Sequence, residues 1–186
     1  IITTKIGPTD SADEMRQSID ESLERMKVDH IDVLDIHGIN TAANLEKTLS
    51  AGSLEGIHKA MNEGLVRHIG FSTHGPLDVI LDTIKTGEFE TVNLHYYYIN
   101  QRNLPAIELA NSLDMGVYII SPTDKGGQLF KAPAKLRSMC EPLTPIQMNH
   151  RFLLSNPGIH TLSLGASTPE EFAEHLAIAD KDGPLD

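Results

Sequence analysis

A lysine, an aspartate and a histidine carry the chemistry most worth testing, because each borders a strongly apolar run. Lys5 closes IITTKI, beside Gly7 and Pro8 of the following loop. A lysine at a strand end is ordinarily solvent-exposed. Turned into a barrel mouth, it would be partly desolvated and able to lower the pKa of an adjacent acid or steady an oxyanion. His37 follows IDVLDI and precedes Gly38. It reads equally as a satisfied polar residue at a core's edge or as a group that hydrogen-bonds a carbonyl and relays a proton. Asp35, two residues earlier, should face the same side of that strand. A carboxylate inside a core needs a partner, since burying an unpaired charge is costly, and Lys5 on the adjacent strand is the expected one.

The elements that must position these residues alternate along the chain. Apolar, β-branched runs occur at 1–6, 31–39, 66–72, 91–99, 116–121 and 160–166. Most lack strict alternation, which predicts strands covered on both faces. Between them, Met15, Ile19, Leu23 and Met26 form an apolar helical stripe over 12–27, with Ser11 and Glu14 placed as a capping box. Leu54, Ile57, His58 and Met61 give a second stripe, closed by Gly64. Further helices are predicted over 76–87, 104–114, 144–156 and 168–180, with Thr144 and Thr168 as N-caps before proline. The segments 38–52 and 128–143 read as long loops.

Such alternation predicts an α/β fold with a parallel sheet, either open and doubly wound or closed as a (β/α)8 barrel. Two observations favour the barrel. No G-x-G-x-x-G follows the first strand, and polar residues recur at strand ends: Lys5, His37, Ser72, Asn93 and Ser121. The six repeats are two short of closure. Because the chain also starts inside an apolar run at Ile1, we expect a barrel lacking its first two βα units.

Composition narrows the partners. Against 15 basic residues stand 26 acidic ones, a formal net charge of -11 that disfavours nucleic acid and anionic membrane surfaces. One cysteine, Cys140, excludes an internal disulfide framework and fits a reducing compartment. No apolar run approaches the roughly 18 residues needed to span a bilayer, so a cytoplasmic location is expected. Nine histidines lack the close spacing of a zinc site, and no metal is expected. Neither a P-loop nor a G-x-S-x-G string occurs.

The strings TTK, IDVLDIH, GFSTH, VNLHYYY, IISPTDKGGQLF and SLGASTPEEFAEHL, in this order and spacing, resemble the aldo-keto reductase family. The resemblance spans residues 1–186, from about the third barrel strand to the eighth helix, and the S-P-x-D-K-G-G string is closest to one branch. Members of that branch often carry a C-terminal iron–sulfur domain, but no cysteine cluster supports one here. The resemblance implies reduction of aldehyde or ketone carbonyls with NADPH, or with NADH. It gives Lys5 and His37 the roles of catalytic lysine and histidine. Ser72, Thr73 and Asn93 match positions around the nicotinamide carboxamide, with Thr73 standing where asparagine is usual. Ser121, Thr123, Lys125 and Gly127 match the pyrophosphate loop. Gly165, Ser167, Glu171, Glu174 and His175 match the adenosine end.

The departures are as informative. The resemblance implies an aspartate and a tyrosine from two earlier barrel units, the tyrosine being the general acid, and no residue here matches either. Tyr96, Tyr97, Tyr98 and Tyr118 all lie on later strands. Ile120 replaces a common aromatic ring, and Glu171 stands where NADPH-preferring members are often basic, which keeps NADH open. The chain alone is therefore expected to be inactive. Two rivals stand beside the reductase: a non-catalytic cofactor-binding barrel acting as a sensor or regulatory subunit, and a lyase or aldolase using Lys5. The small carbonyl substrate and the oligomeric state stay open.

Overall fold

The computed structural model describes residues 1–178. The chain divides into two units, Ile1–Asn93 with Leu109–Gly116, and Leu94–Glu108 with the residues from Val117 onward.

In the first unit, strands β1 (Thr3–Ile6), β2 (Ile31–His37), β3 (Val66–Ser72) and β4 (Thr91–Leu94) pair in that order, all parallel. Helices α1 (Ala12–Met26), α2 (Ala42–Ser50), α3 (Ser53–Asn62) and α4 (Leu77–Lys85) connect them, as parallel pairing requires. The sequence expectation of an α/β fold is met. The register sets Lys5 beside Asp35, Asp35 beside Gly70 and Gly70 beside Thr91. One pleat further on, His37 lies beside Ser72, and Ser72 beside Asn93. Side chains two apart share a face, so all these positions fall on one side of the sheet.

Ile36, Phe71 and Val92 alternate with them and are fully buried, as are Met15 and Ile19 of α1 and Ile57 of α3. Ser11 caps α1 by accepting the Glu14 N–H at 3.2 Å, while the Glu14 carboxylate takes the Asp10 N–H at 2.9 Å. The second stripe is rotated from its expected position: Leu54, Ile57 and Ala60 are buried, and His58 is exposed. Gly56 explains the rotation. A Cβ there would lie 2.6 Å from the Ala12 carbonyl oxygen and 2.7 Å from the Met15 Cβ, so α1 and α3 meet along the glycine edge.

The second unit contains the parallel pair β5 (Gly116–Ile120) and β6 (Thr161–Ser163), with Ile120 beside Ser163. Its helices are the first half of α5 (Leu104–Ser112), then α6 (Ala134–Cys140), α7 (Pro145–Leu154) and α8 (Pro169–Leu176), plus a short 3-10 turn at Gln128–Lys131. Thr144 and Thr168 cap α7 and α8, with a full capping box at Thr144 and Gln147. The last helix is shorter than expected, and positions 179 and 180 of that expectation lie outside the described residues. The expected strand over 91–99 ends at Leu94. Beyond it Tyr96 and Tyr97 are both buried, which consecutive strand positions facing opposite sides would not require, and Tyr98 is exposed. No helix of the described residues is long and apolar enough to cross a membrane.

Candidate functional site

The face built by β1 to β4 in the first unit concentrates polar groups at the C-terminal strand ends. Asp35 is completely inaccessible to solvent, and the Lys5 ammonium lies 3.7 Å from its Oδ2. The pairing expected from sequence is therefore present. Thr91 Oγ1 donates to Asp35 Oδ1 at 3.4 Å, and Asn93 Nδ2 approaches Oδ2 at 3.5 Å. Burial raises the Asp35 pKa above the ordinary carboxylate range; Lys5, Asn93 and Thr91 all pull against that rise. Gly70 makes room for the cluster. A Cβ on it would fall 2.0 Å from Thr91 Oγ1 and 2.3 Å from Asp35 Oδ1, a clash no side-chain shift of that size absorbs cheaply.

His37 ends β2 exposed, followed by Gly38 at φ 80°. The Gly38 N–H donates to the Ser72 carbonyl at 2.9 Å, tying the two strand ends together. Ser72, Thr73 and Asn93 are buried. Thr73 spends its only proton on the Ile39 carbonyl at 2.6 Å and accepts the Gly75 N–H at 2.9 Å, so it braces the loop after β3. Asn93 differs: its Oδ1 is buried and has no hydrogen-bond partner among the described residues.

The second unit carries a separate feature. Between residues 121 and 127, Ser121, Asp124, Gly126 and Gly127 all have positive φ, from 51° to 76°. Glycine adopts this region freely, whereas serine and aspartate there store about 1–3 kcal/mol each, and such outliers point to function. The loop is pinned from outside. Asn149 donates Nδ2 to the Pro122 carbonyl at 2.6 Å and accepts the Tyr98 N–H at 2.8 Å, while Leu129 N–H reaches the Thr123 carbonyl at 3.0 Å. It walls a cavity of about 560 Å³ together with residues 163–171, a size suited to a small-molecule or cofactor site.

Of the nine residues matched to the pyrophosphate loop and the adenosine end, six line this cavity: Ser121, Thr123, Gly127, Gly165, Ser167 and Glu171. Three do not. Lys125 is exposed, and Lys131 lines the cavity in its place. Glu174 borders a neighbouring cavity of about 280 Å³ and accepts the Thr144 hydroxyl proton. His175 is buried behind the wall, with Nε2 3.1 Å from the Gly165 carbonyl and its ring 5.1 Å from that of His150. His150 is held neutral, its pKa pushed down to about 4 by burial and by His175. Thr168 caps α8, and the Ser167 N–H donates to Glu171 Oε2 at 2.6 Å. No group of three or more His, Cys, Asp or Glu among the described residues could hold a metal.

Residues 1–185 match the model of the aldo/keto reductase family. The chain belongs to that family. An L-galactose dehydrogenase of Arabidopsis thaliana is 27% identical to this chain over 205 residues, covering 95% of the chain and 63% of the relative. An uncharacterised oxidoreductase of Bacillus subtilis is 20% identical over 190 residues, covering 89% of the chain and 60% of the relative. The chain thus spans somewhat under two thirds of the length of these curated relatives. The fold is shared with an aldo-keto reductase of Bacillus halodurans solved in its holo form, at a TM-score of 0.82 and 20% identity, covering 100% of this chain and 69% of that one. Sequence reasoning missed Gly70, Asp124 and Lys131 as parts of these sites. Gly70 had a visible signal, a lone glycine inside a β-branched run.

Proposed function

We propose that the chain supplies Lys5, His37 and the cofactor-binding groups of an NADPH-dependent reductase acting on aldehydes or ketones. In this reading it corresponds to about the third strand through the eighth helix of a (β/α)8 barrel, in the branch with the S-P-x-D-K-G-G loop. One observation carries the proposal: the register that puts Lys5, His37, Ser72 and Asn93 on one face at the C-terminal strand ends. The residues fit a nicotinamide dinucleotide. Asn93 Oδ1 is an orphaned buried acceptor suited to a carboxamide N–H, and the positive-φ loop frames a cavity of cofactor size.

When bound, the reduced nicotinamide supplies the hydride. Ser72 and Asn93 would hold its carboxamide, Ser121, Thr123 and Gly127 its pyrophosphate, and Gly165, Ser167 and Glu171 its adenosine end, while Lys125, Glu174 and His175, matched to these ends by resemblance, stand outside the cavity lining. Lys131 joins the pyrophosphate set by its place in the cavity wall. His37 orients the substrate carbonyl through a hydrogen bond, and Lys5 offers positive charge beside the proton donor. No tyrosine of this chain suits that donor role. Tyr97 already gives its proton to the Ile120 carbonyl at 2.8 Å, and burial raises its pKa, which weakens it as an acid.

Fluorescence titration with NADPH and NADH tests the proposal. Saturable binding by the chain is expected, with little or no carbonyl-dependent oxidation. Absence of binding to either nucleotide would sink the cofactor reading, and brisk turnover would show that a proton donor has been overlooked. Borohydride treatment with a carbonyl substrate should leave Lys5 unlabelled; trapping there would favour the lyase or aldolase alternative.

A further inference from the structure

The reductase reading gives no role to the buried carboxylate of Asp35. We propose that Asp35 is a positioning residue that fixes which edge of the Asn93 amide is offered to the nicotinamide carboxamide, with Lys5 as its countercharge. The inference rests on the cofactor reading above.

A fully buried carboxylate in a strand core is a poor device for stability. Its desolvation opposes folding, and apolar replacements of buried ion pairs are often neutral or stabilising. Its contacts show a different use. An ionised carboxylate only accepts hydrogen bonds, whereas an amide has one accepting and one donating edge. With Asp35 Oδ2 3.5 Å from Asn93 Nδ2, the donating edge of the amide is directed inward. Rotating the amide by half a turn would set its oxygen against Oδ2, acceptor against acceptor. Oδ1 is consequently held as the acceptor left free, which matches its buried, orphaned state in the structure. A primary carboxamide, with two N–H donors, is the complementary group.

Three features keep the carboxylate in place. Lys5 sits 3.7 Å away and supplies the only cation within ion-pair distance of it among the described residues. Thr91 donates to its other oxygen. Gly70, between Asp35 and Thr91 in the register, leaves the space that any side chain would fill. Without the Lys5 ammonium, the burial that already raises the Asp35 pKa would lose its main opposing charge, which favours the protonated form, whose O–H can donate to Asn93 Oδ1. The amide would then lose its fixed sense without any change at Asn93 itself.

The test compares two probes on the full chain: NADPH, and adenosine 2′,5′-bisphosphate, which lacks the nicotinamide. Asp35→Leu should fold, as judged by its thermal transition, and bind NADPH about ten-fold more weakly, as expected for one lost hydrogen bond. It should bind the bisphosphate as the unaltered chain does. Lys5→Met, altered at a partly exposed side chain, should show the same selective loss and guards against misfolding of the first variant. Equal losses for both probes, or unchanged NADPH affinity in either folded variant, would overturn the role given to Asp35. Failure of the unaltered chain to bind either probe would instead overturn the cofactor reading, and the inference with it.

Discussion

Asp35 is a fully buried carboxylate whose protonation is linked to the folding of the first unit. Its folded pKa is raised because burial outweighs the pull of Lys5, Asn93 and Thr91. The sign follows from linkage: the folded state holds this proton more tightly than the unfolded chain does. The stabilisation is therefore complete below the unfolded carboxylate pKa, near 3.9, and is lost as pH rises through the raised folded value. Asp35→Asn removes the titration while keeping the shape. Denaturant unfolding should find the variant no less stable than the parent near neutrality, and should find the parent's relative stability improving as pH falls from neutral toward that window. A variant markedly weaker at neutral pH, by more than about 2 kcal/mol, would mean the ion pair outweighs its desolvation. Much at this scale was legible beforehand. The Asp35–Lys5 pairing followed from a period of two on β2 and from the cost of an unpaired buried charge. Gly70 was not anticipated, because its necessity arises from the register with β2 and β4, which a single strand's sequence does not display.

Elements were legible where they repeat strongly and obscure where they are short. The strands β1 to β4, the stripe on α1 and the proline-flanked caps of α7 and α8 all have signals that act locally. Helices α2 and α6 were read as loop because each is short; Thr48 is the only buried residue of α2, and Cys140 the only one of α6. Lys131 lines the cavity and Lys125 does not; between them Gly126 and Gly127 take positive φ, a backbone turn that composition alone does not reveal. Helix α8 yields a prediction of its own. Glu171 lies in its first turn and accepts the Ser167 N–H, an arrangement favoured by the helix dipole, while facing the cavity. Glu171→Gln keeps an acceptor for that N–H but removes a negative charge from the wall. Titration should show NADPH binding several-fold tighter, equivalent to about 0.5–1 kcal/mol at a partly solvated site, with NADH little altered. An equal change for both nucleotides would place the 2′-phosphate away from Glu171.

The charge of the whole molecule bears on how an anionic cofactor reaches its site. The chain carries a formal net charge of -11, and the wall of the larger cavity contributes one lysine, Lys131, against Asp124 and Glu171. On the proposed reading, NADPH would approach against that field. Repulsion of this kind acts over the Debye length, about 30 Å at 0.01 M salt and about 8 Å at 0.15 M. Contacts inside the cavity are shorter and less screened. Raising salt across that range should therefore speed NADPH association, by a few-fold, while dissociation changes little. NADH, without the 2′-phosphate, should show a smaller effect. Stopped-flow fluorescence resolves the two rate constants. If association slowed with salt instead, the potential at the cavity mouth would be positive despite the net charge. The basic side chains Lys125 and Lys131 would then be steering the cofactor in, and charge at the mouth, rather than net charge, would govern encounter.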